Sequence, residues 1–310
     1  LMRPSVKREG WEGKKMRLKT ESVQCMSESV TVYGTTRETG LHALAAAVNA
    51  LEATGGRQIA VSVSAEYPAH AEKDTIYKTE KSIKKICGEK GISYMGALFS
   101  ENPLLPVPAV TVHGMACSEQ HRGTPDGKRQ MQGKAVVLSK WIGMDGMLQI
   151  AAERRGELEK HFAPAFMRDV FSYRQKLFSE REIEIASDMG VPVVRQILRG
   201  GIFAALWELA GELGCGLDLD LKKMSVLQET VEICEYFKIN PYQLTSAGSL
   251  LFVTDDAEQL ARRLREAGTE SSVLGYVTGG RDKIIRNGED IRHIDRPAPD
   301  EIFKIYTGKG

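Results

Sequence analysis

At 310 residues, with 42% apolar and 27% charged side chains, the chain can bury a full core and is too apolar to be disordered overall. Forty-two basic against 41 acidic residues leave a net charge of +1, which argues against broad capture of nucleic acid or of an anionic membrane. No apolar run reaches the roughly 18 residues of a membrane span and no apolar signal core opens the chain, so a cytoplasmic protein is expected. The five cysteines, Cys25, Cys87, Cys117, Cys215 and Cys234, form no C-x-x-C pair and are odd in number, so reduced, buried thiols are expected. The six histidines show no zinc-type spacing, and no metal site is predicted.

Residues 1–20 are a basic, unpatterned extension in which Met16 is a candidate natural start. Residues 21–133 form the first predicted domain. "SVQCMSESVTVYG" is extended, and "LHALAAAVNALEATGG" is a helix closed by Gly55 and Gly56. The loop between them, "GTTRETG", has the polarity of a ligand loop, while Thr39 is equally placed to cap the helix. "RQIAVSVSAEYP" alternates as a strand, and Ile76, Ile83, Ile86 and Cys87 share one face of a helix from Glu72 to Lys90. "ISYMGALF" and "PAVTVHGMAC" follow as strands. Both alternating sets of "AVSVSAEY" and "PAVTVHGM" look apolar, so one sheet face is expected to meet a second copy of the chain. The polar stretch from Ser118 to Gly133 marks the boundary.

Residues 134–310 form the second predicted domain. It opens with the strand "KAVVLS" and a helix near Met144, with three further helical segments up to Met189. After "VVRQILRGG" come the helix "FAALWELAGELG", the strand "LDLDL" and the helix "VLQETVEICEYFKI", stopped by Asn240-Pro241. "GSLLFVTD", "AEQLARRLREAG" and "SSVLGYVTGG" give strand, helix and strand, and "DKIIRNGEDIRHI" a hairpin with an Asn-Gly turn. Trp141 and Trp207 have apolar neighbours and are expected as core anchors rather than nucleotide platforms. The pattern is that of a two-domain α/β or α+β protein. Gly200-Gly201, between a strand and a helix, suits an anion held on backbone N–H groups, with Arg199 adding charge; it equally suits close packing of a helix start on a sheet.

Four strings in order, "VVLSKWIGMDGMLQIA", "GVPVV…GGIFAALWELAGELGCGLDLDL", "ETVEICEYFKINPYQLTSAGSLLF" and "VLGYVTGG", resemble the C-terminal domain of the aminoimidazole ribonucleotide (AIR) synthetase superfamily, within it the hydrogenase maturation factor branch. The family patterns T-K-x-x-G-x-E-G-T, H-D-x-T-E-G-G and D-P-x-x-x-x-S-S-G-S-L-L meet Ser139-Lys140, Gly143, Asp145-Gly146, Gly200-Gly201, Pro241, Ser246 and Gly248-Ser249-Leu250-Leu251. The N-terminal half is similar more faintly. The resemblance implies an AIR synthetase-like fold, with an N-terminal mixed sheet and helices that dimerises and a C-terminal α/β sandwich. It also implies ATP between the domains and across the dimer, with acids holding magnesium. Carried over position by position, it makes Asn49, Lys140, Gly143, Gly146, Arg199, Gly200, Gly201, Ser246, Gly248 and Ser249 candidate ligand-binding residues. For Lys140 the alternative is a surface residue at a strand end.

The acids of the family pattern are largely missing. "RLKTESVQCMSES" replaces a glycine- and aspartate-rich loop, "TVYGTTRETG" lacks a Thr-Asp pair, Asn49-Ala50 keeps an amide without its carboxylate, Leu98 and Phe99 stand at His and Thr, and "RQILRGG" replaces His-Asp-x-Thr-Glu-Gly-Gly. Two functions are therefore expected in competition. One is a non-catalytic homodimer, a pseudoenzyme with a degenerate ATP-binding site that binds a ligand or partner, its cofactor being at most ATP or another phosphate-bearing group without magnesium. The other is a divergent ATP-utilising enzyme with a phosphate site rebuilt from Arg37, Lys140 and Arg199. A role with the cyanide precursor is expected less, since the family members that handle it carry a reactive C-terminal cysteine and this chain ends "KIYTGKG".

Overall fold

The computed structural model describes residues 24–118 and 131–307. The basic extension and most of the polar boundary stretch lie outside the described residues. Four strands form the first sheet: β1 (Gln24–Tyr33), β2 (Arg57–Tyr67), β3 (Ser93–Glu101) and β4 (Ala109–Ser118), in the order β1-β4-β2-β3. Strand β4 is antiparallel to both its neighbours, and β2 and β3 are parallel, joined by helix α2 (Lys73–Lys90). Helix α1 (Thr39–Ala53) joins β1 to β2 and covers the inner face. Val61, Val63, Ala65, Val110 and Val112 pack there against Leu44, Ala47, Val48 and Leu51, with Ile76, Ile83 and Cys87 of α2.

The second sheet has seven strands in the order β11-β10-β7-β9-β5-β8-β6. These are β5 (Ala135–Ser139), β6 (Val193–Gln196), β7 (Gly216–Asp220), β8 (Leu250–Thr254), β9 (Ser271–Thr278), β10 (Lys283–Asn287) and β11 (Asp290–His293). Its central strands β5 and β8 are buried at every position because both faces are covered. Val136, Leu138, Leu251 and Val253 face the helix Gly201–Leu213, whereas Ala135, Val137, Leu250 and Phe252 face the helices Glu180–Asp188 and Ala257–Glu266. Further helices, Met144–Glu153, Arg155–His161, Pro164–Ser172 and Gln228–Phe237, build an apolar cluster that reaches Ala45 of α1.

Several expectations need correction. The outward set of the first sheet is not apolar: Ser29 and Ser64 hydrogen-bond the two ring nitrogens of His113 at 3.0 and 2.9 Å, and Thr31 meets Thr111 at 2.8 Å. Alternation along β2 and β4 sends valines inward and hydroxyls outward, and the exposed apolar groups are Met95, Leu98 and Met115. Cys25 is exposed and Cys117 half-buried, so only Cys87, Cys215 and Cys234 are the buried thiols expected. Glu38, not Thr39, is the N-cap of α1; the Thr39 hydroxyl donates to the Thr36 carbonyl at 2.8 Å. In the last hairpin Asn287 pairs with Asp290, so the turn is centred on Gly288-Glu289, with Gly288 at φ +66°.

Helix α1 carries a costly group near its C-terminal end. Glu52 has a carboxylate oxygen buried with no hydrogen-bond partner. Burial first, then the charges of Glu180 and Glu184, push its pKa up to about 7, against the pull of Arg57 and Lys90. The folded state therefore holds the proton more tightly than the unfolded chain, so this contribution to stability is present below the ordinary value of 4.5 and is lost as pH rises through about 7. Glu52→Gln should raise stability by on the order of 1–2 kcal/mol at pH 8 and have little effect at pH 4. Thermal melts across that range check it, and an equal effect at both ends would contradict the assignment.

Candidate functional site

Most of the sequence-predicted ligand residues lie in the interior joining the two halves. Asn49 is fully buried: its amide donates to the Leu177 carbonyl at 2.8 Å and to Gln196 Oε1 at 3.0 Å, and its Oδ1 accepts from the Ser179 N–H at 2.9 Å. Gln196, at the end of β6, donates back to the Ala46 carbonyl at 2.7 Å and accepts from the Gly248 N–H at 3.2 Å. Ser246 Oγ accepts from the Gly143 N–H at 2.7 Å, Ser249 Oγ donates to the Trp141 carbonyl at 2.8 Å, and the Gly146 N–H donates to the Thr245 carbonyl at 3.0 Å. Lys140 is neither at the surface nor open to a phosphate. It is 2% exposed, and its ammonium donates to the carbonyls of Lys176 and Phe178, both at 2.8 Å, and to Ser179 Oγ, with Glu182 at 3.3 Å. Burial lowers its pKa, and Glu182 opposes that shift.

The Gly200-Gly201 turn has the geometry of an anion seat, and a carboxylate of the same chain sits in it. Asp300 Oδ2 accepts from the Gly200 N–H at 2.6 Å, and Oδ1 accepts from the Ile302 N–H at 2.8 Å. Burial pushes the Asp300 pKa up to about 6, although hydrogen bonds from the backbone of Ile302, Gly200 and Thr245 pull it back. Gly201 is also a packing residue: at φ +65°, a Cβ would stand 2.5 Å from the Tyr242 carbonyl oxygen. The loop after β1 shows the same substitution. Glu153 Oε1 accepts from the N–H groups of Thr35 and Thr36 at 2.7 and 3.2 Å, and its Oε2 from the Thr35 hydroxyl at 2.7 Å.

Of the candidates, Arg199 opens onto a cavity. A cleft of about 300 Å³ lies between the β1 edge, the start of the helix Met144–Glu153 and the chain's C-terminal segment, lined among others by Thr31, Asp145, Gln149, Arg199, Thr245 and Phe303. The Arg199 guanidinium donates to the Thr31 carbonyl and lies 5.7 and 5.8 Å from the rings of Tyr33 and Phe303. The buried Asp145 forms the inner wall: Oδ1 meets His42 Nδ1 at 2.6 Å, and Oδ2 accepts from Gln149 and Thr245, both at 2.9 Å. His42 Nε2 is buried without a partner. Tyr306 closes the outer end by donating its hydroxyl to the Tyr33 carbonyl at 2.7 Å. The arrangement offers a cation beside aromatic faces at the mouth and a hydrogen-bonded carboxylate in its depth.

Asp145 belongs to the quoted Asp145-Gly146 string, so its position was legible. Asp300 and Glu153 were missed, because nothing in "APDEIF" or "AAERRG" says which distant N–H groups their carboxylates reach. In that interior the acceptors at Asn49 and Gln196 are amide oxygens already bonded within the chain. Among the described residues no three His, Cys, Asp or Glu side chains converge as metal ligands, and no helix is long and apolar enough to cross a membrane.

Residues 132–287, just over half of the chain, match the family model of the AIR synthase related protein C-terminal domain. The chain belongs to that family. A putative hydrogenase expression/formation protein of Methanocaldococcus jannaschii is 24% identical over 271 residues, covering 86% of this chain and 78% of the relative. The carbamoyl dehydratase HypE of Rhodobacter capsulatus is 29% identical over 170 residues, 54% of this chain but only 47% of that relative, about half its length. The crystal structure of hydrogenase maturation protein HypE in complex with ATP superposes with a TM-score of 0.69 at 17% identity, covering 96% of this chain and 90% of the other. The expected AIR synthetase-like fold is thereby met, and hydrogenase maturation proteins are among the similar proteins, as the resemblance implied.

Gly201→Val should cost more than about 3 kcal/mol whether or not a ligand is added, because the turn can accept neither the side chain nor its φ. A thermal melt of the unliganded variant checks it, and an unchanged Tm would remove the packing role. Asp300→Ala should lower stability by about 1–3 kcal/mol through the unpaired Gly200 and Ile302 N–H groups.

Proposed function

We propose that this HypE-like chain is a homodimer that binds an anionic, phosphate-bearing ligand beside Arg199 without magnesium and does not turn over ATP. The observation that carries the reading is the filling of two anion-type backbone seats by carboxylates of the chain itself, Asp300 on Gly200 and Glu153 on Thr35 and Thr36. Magnesium-dependent phosphoryl transfer needs acids around the phosphates, and the interior mesh supplies Asn49 and Gln196 instead. Arg199 keeps its charge at the cleft mouth, where a phosphate would replace the Thr31 carbonyl as its acceptor. The dimer rests on the outward face of the first sheet, where Met95, Leu98 and Met115 are exposed beside the hydroxyl and imidazole lattice.

A second reading, an ATP-using enzyme, is supported by the ATP bound in the HypE neighbour and by the name carbamoyl dehydratase of the Rhodobacter capsulatus relative. Calorimetric titration with ATP, with and without magnesium, separates the two. The first reading expects binding that magnesium leaves unchanged, that weakens as salt shortens the screening length to about 8–10 Å, and that falls at least about tenfold in Arg199→Ala. Robust magnesium-dependent turnover by the wild-type chain would overturn it. Light scattering at micromolar concentration tests the dimer, and a clean monomer would sink that part.

A further inference from the structure

Strands β1 and β4 run antiparallel in unbroken register, and that register sets Cys25 directly opposite Cys117. The hydrogen-bonding parity of the rung follows from its neighbours. The Thr31 and Tyr33 carbonyls point away from β4, accepting from Arg199 and Tyr306, whereas the Gly34 N–H donates across to the Pro108 carbonyl. Odd-numbered residues of β1 therefore form the non-hydrogen-bonded rungs, where Cα atoms are about 4.5 Å apart and side chains approach most closely. Two rungs of this set show that approach directly, Ser29 to His113 at 3.0 Å and Thr31 to Thr111 at 2.8 Å. Cys25 and Cys117 share the parity and the outward face, and a Cα separation of about 4.5 Å lies within the range a disulfide spans.

We propose that Cys25 and Cys117 are a thiol–disulfide site that a small disulfide oxidant converts into a cross-strand staple locking the edge strand β1 to β4. The assignment does not depend on what the Arg199 cleft binds; it shares the outward face with the proposed dimer, so the oxidation is that of the dissociated chain. Cys25 is exposed and serves as the attacking sulfur. Cys117 is half-buried beside it, so Cys117 is the thiol that reacts second, and its neighbour Cys25 holds its pKa up. The Cys25 thiolate attacks one sulfur of oxidised glutathione, forming a mixed disulfide and expelling one glutathione thiolate. Cys117 loses its proton and attacks the Cys25 sulfur, expelling the second glutathione. The two protein thiols give up two protons and two electrons, and one oxidised glutathione becomes two reduced ones. The other three cysteines are buried, and burial pushes the pKa of Cys87 up to about 11 and that of Cys234 to about 12, so they are inert internal references.

The staple would close a long loop of the unfolded chain, and for loops of that size the expected gain is a rise in Tm of about 5 °C or more. The full chain is incubated with oxidised or reduced glutathione, quenched by alkylation, digested and weighed, and its Tm recorded in both states. The proposal expects a loss of about 2 Da per chain, a peptide joining Cys25 to Cys117, and a raised Tm, all reversed by dithiothreitol. Cys25→Ser and Cys117→Ser should each abolish the mass loss while melting like the reduced wild type. A variant that fails to fold leaves the wild-type crosslink map to decide. Full alkylation of both thiols after oxidation, a disulfide joining two chains, or a glutathione adduct that persists on Cys25 would each overturn it.

Discussion

The structure depends on one helix having no exposed side to spare. Residues Ala43, Leu44, Ala47, Val48 and Leu51 of α1 pack on the first sheet, while Ala45 and Ala53 belong to apolar clusters of the second half. A helix buried on both sides meets little water, so a buried polar side chain on it needs partners inside the protein. Asn49 solves that problem with three hydrogen bonds, each to the second half, and so fixes how the halves meet. Gln196 continues the mesh to Ala46 and Gly248, so α1, β6 and the turn before β8 hold one arrangement together. Removing any one amide would strand several buried donors and acceptors, which costs more than the bonds themselves are worth.

A carboxylate in place of an amide would change this balance. At the centre of such a mesh an acid would need a metal or a cation to stay charged, or would take up a proton. An amide needs neither, because it is at once donor and acceptor and fits between a carbonyl and an N–H group. The acids that the chain does keep near the cleft are each hydrogen-bonded within the chain. Asp145 has His42, Gln149 and Thr245, Asp300 has backbone N–H groups, and Glu153 has the N–H groups and hydroxyl of the loop after β1. Backbone N–H groups at a turn favour negative charge whatever its source, so a tethered carboxylate in contact competes effectively with a free anion from solution.

Element types and the two-sheet division were legible in the sequence, because alternation with period 2 and apolar faces with period 3.6 are local properties of the chain. β5 and β8 appeared as unbroken apolar runs, and both are covered on two faces. The candidate residues were legible as a group but not in their roles. Lys140 looks identical in the sequence whether it reaches a phosphate or three groups around Ser179, since the difference lies in the path of residues 176–182. The same limit hid Asp300, which lies 100 residues from Gly200. The apparent apolarity of both faces of the first sheet arose from counting alanine, glycine and methionine alike, without the register that sets Ser29 and Ser64 on either side of His113.

That register also explains why the outward face is coherent rather than merely polar. Non-hydrogen-bonded rungs bring opposite side chains closest, so residues with complementary short side chains gain most from standing there. Threonine meets threonine at 31 and 111, serine meets imidazole at 29 and 113, and cysteine meets cysteine at 25 and 117. Each pair satisfies its polar atoms laterally within one chain, and this leaves few donors and acceptors that demand a partner from outside. A surface of this kind tolerates both water and an apposed chain, because covering it strands little and its exposed methionines and leucine gain from burial. The inner face has no such freedom: its valines and alanines are committed to α1, and through α1 to the halves' single arrangement.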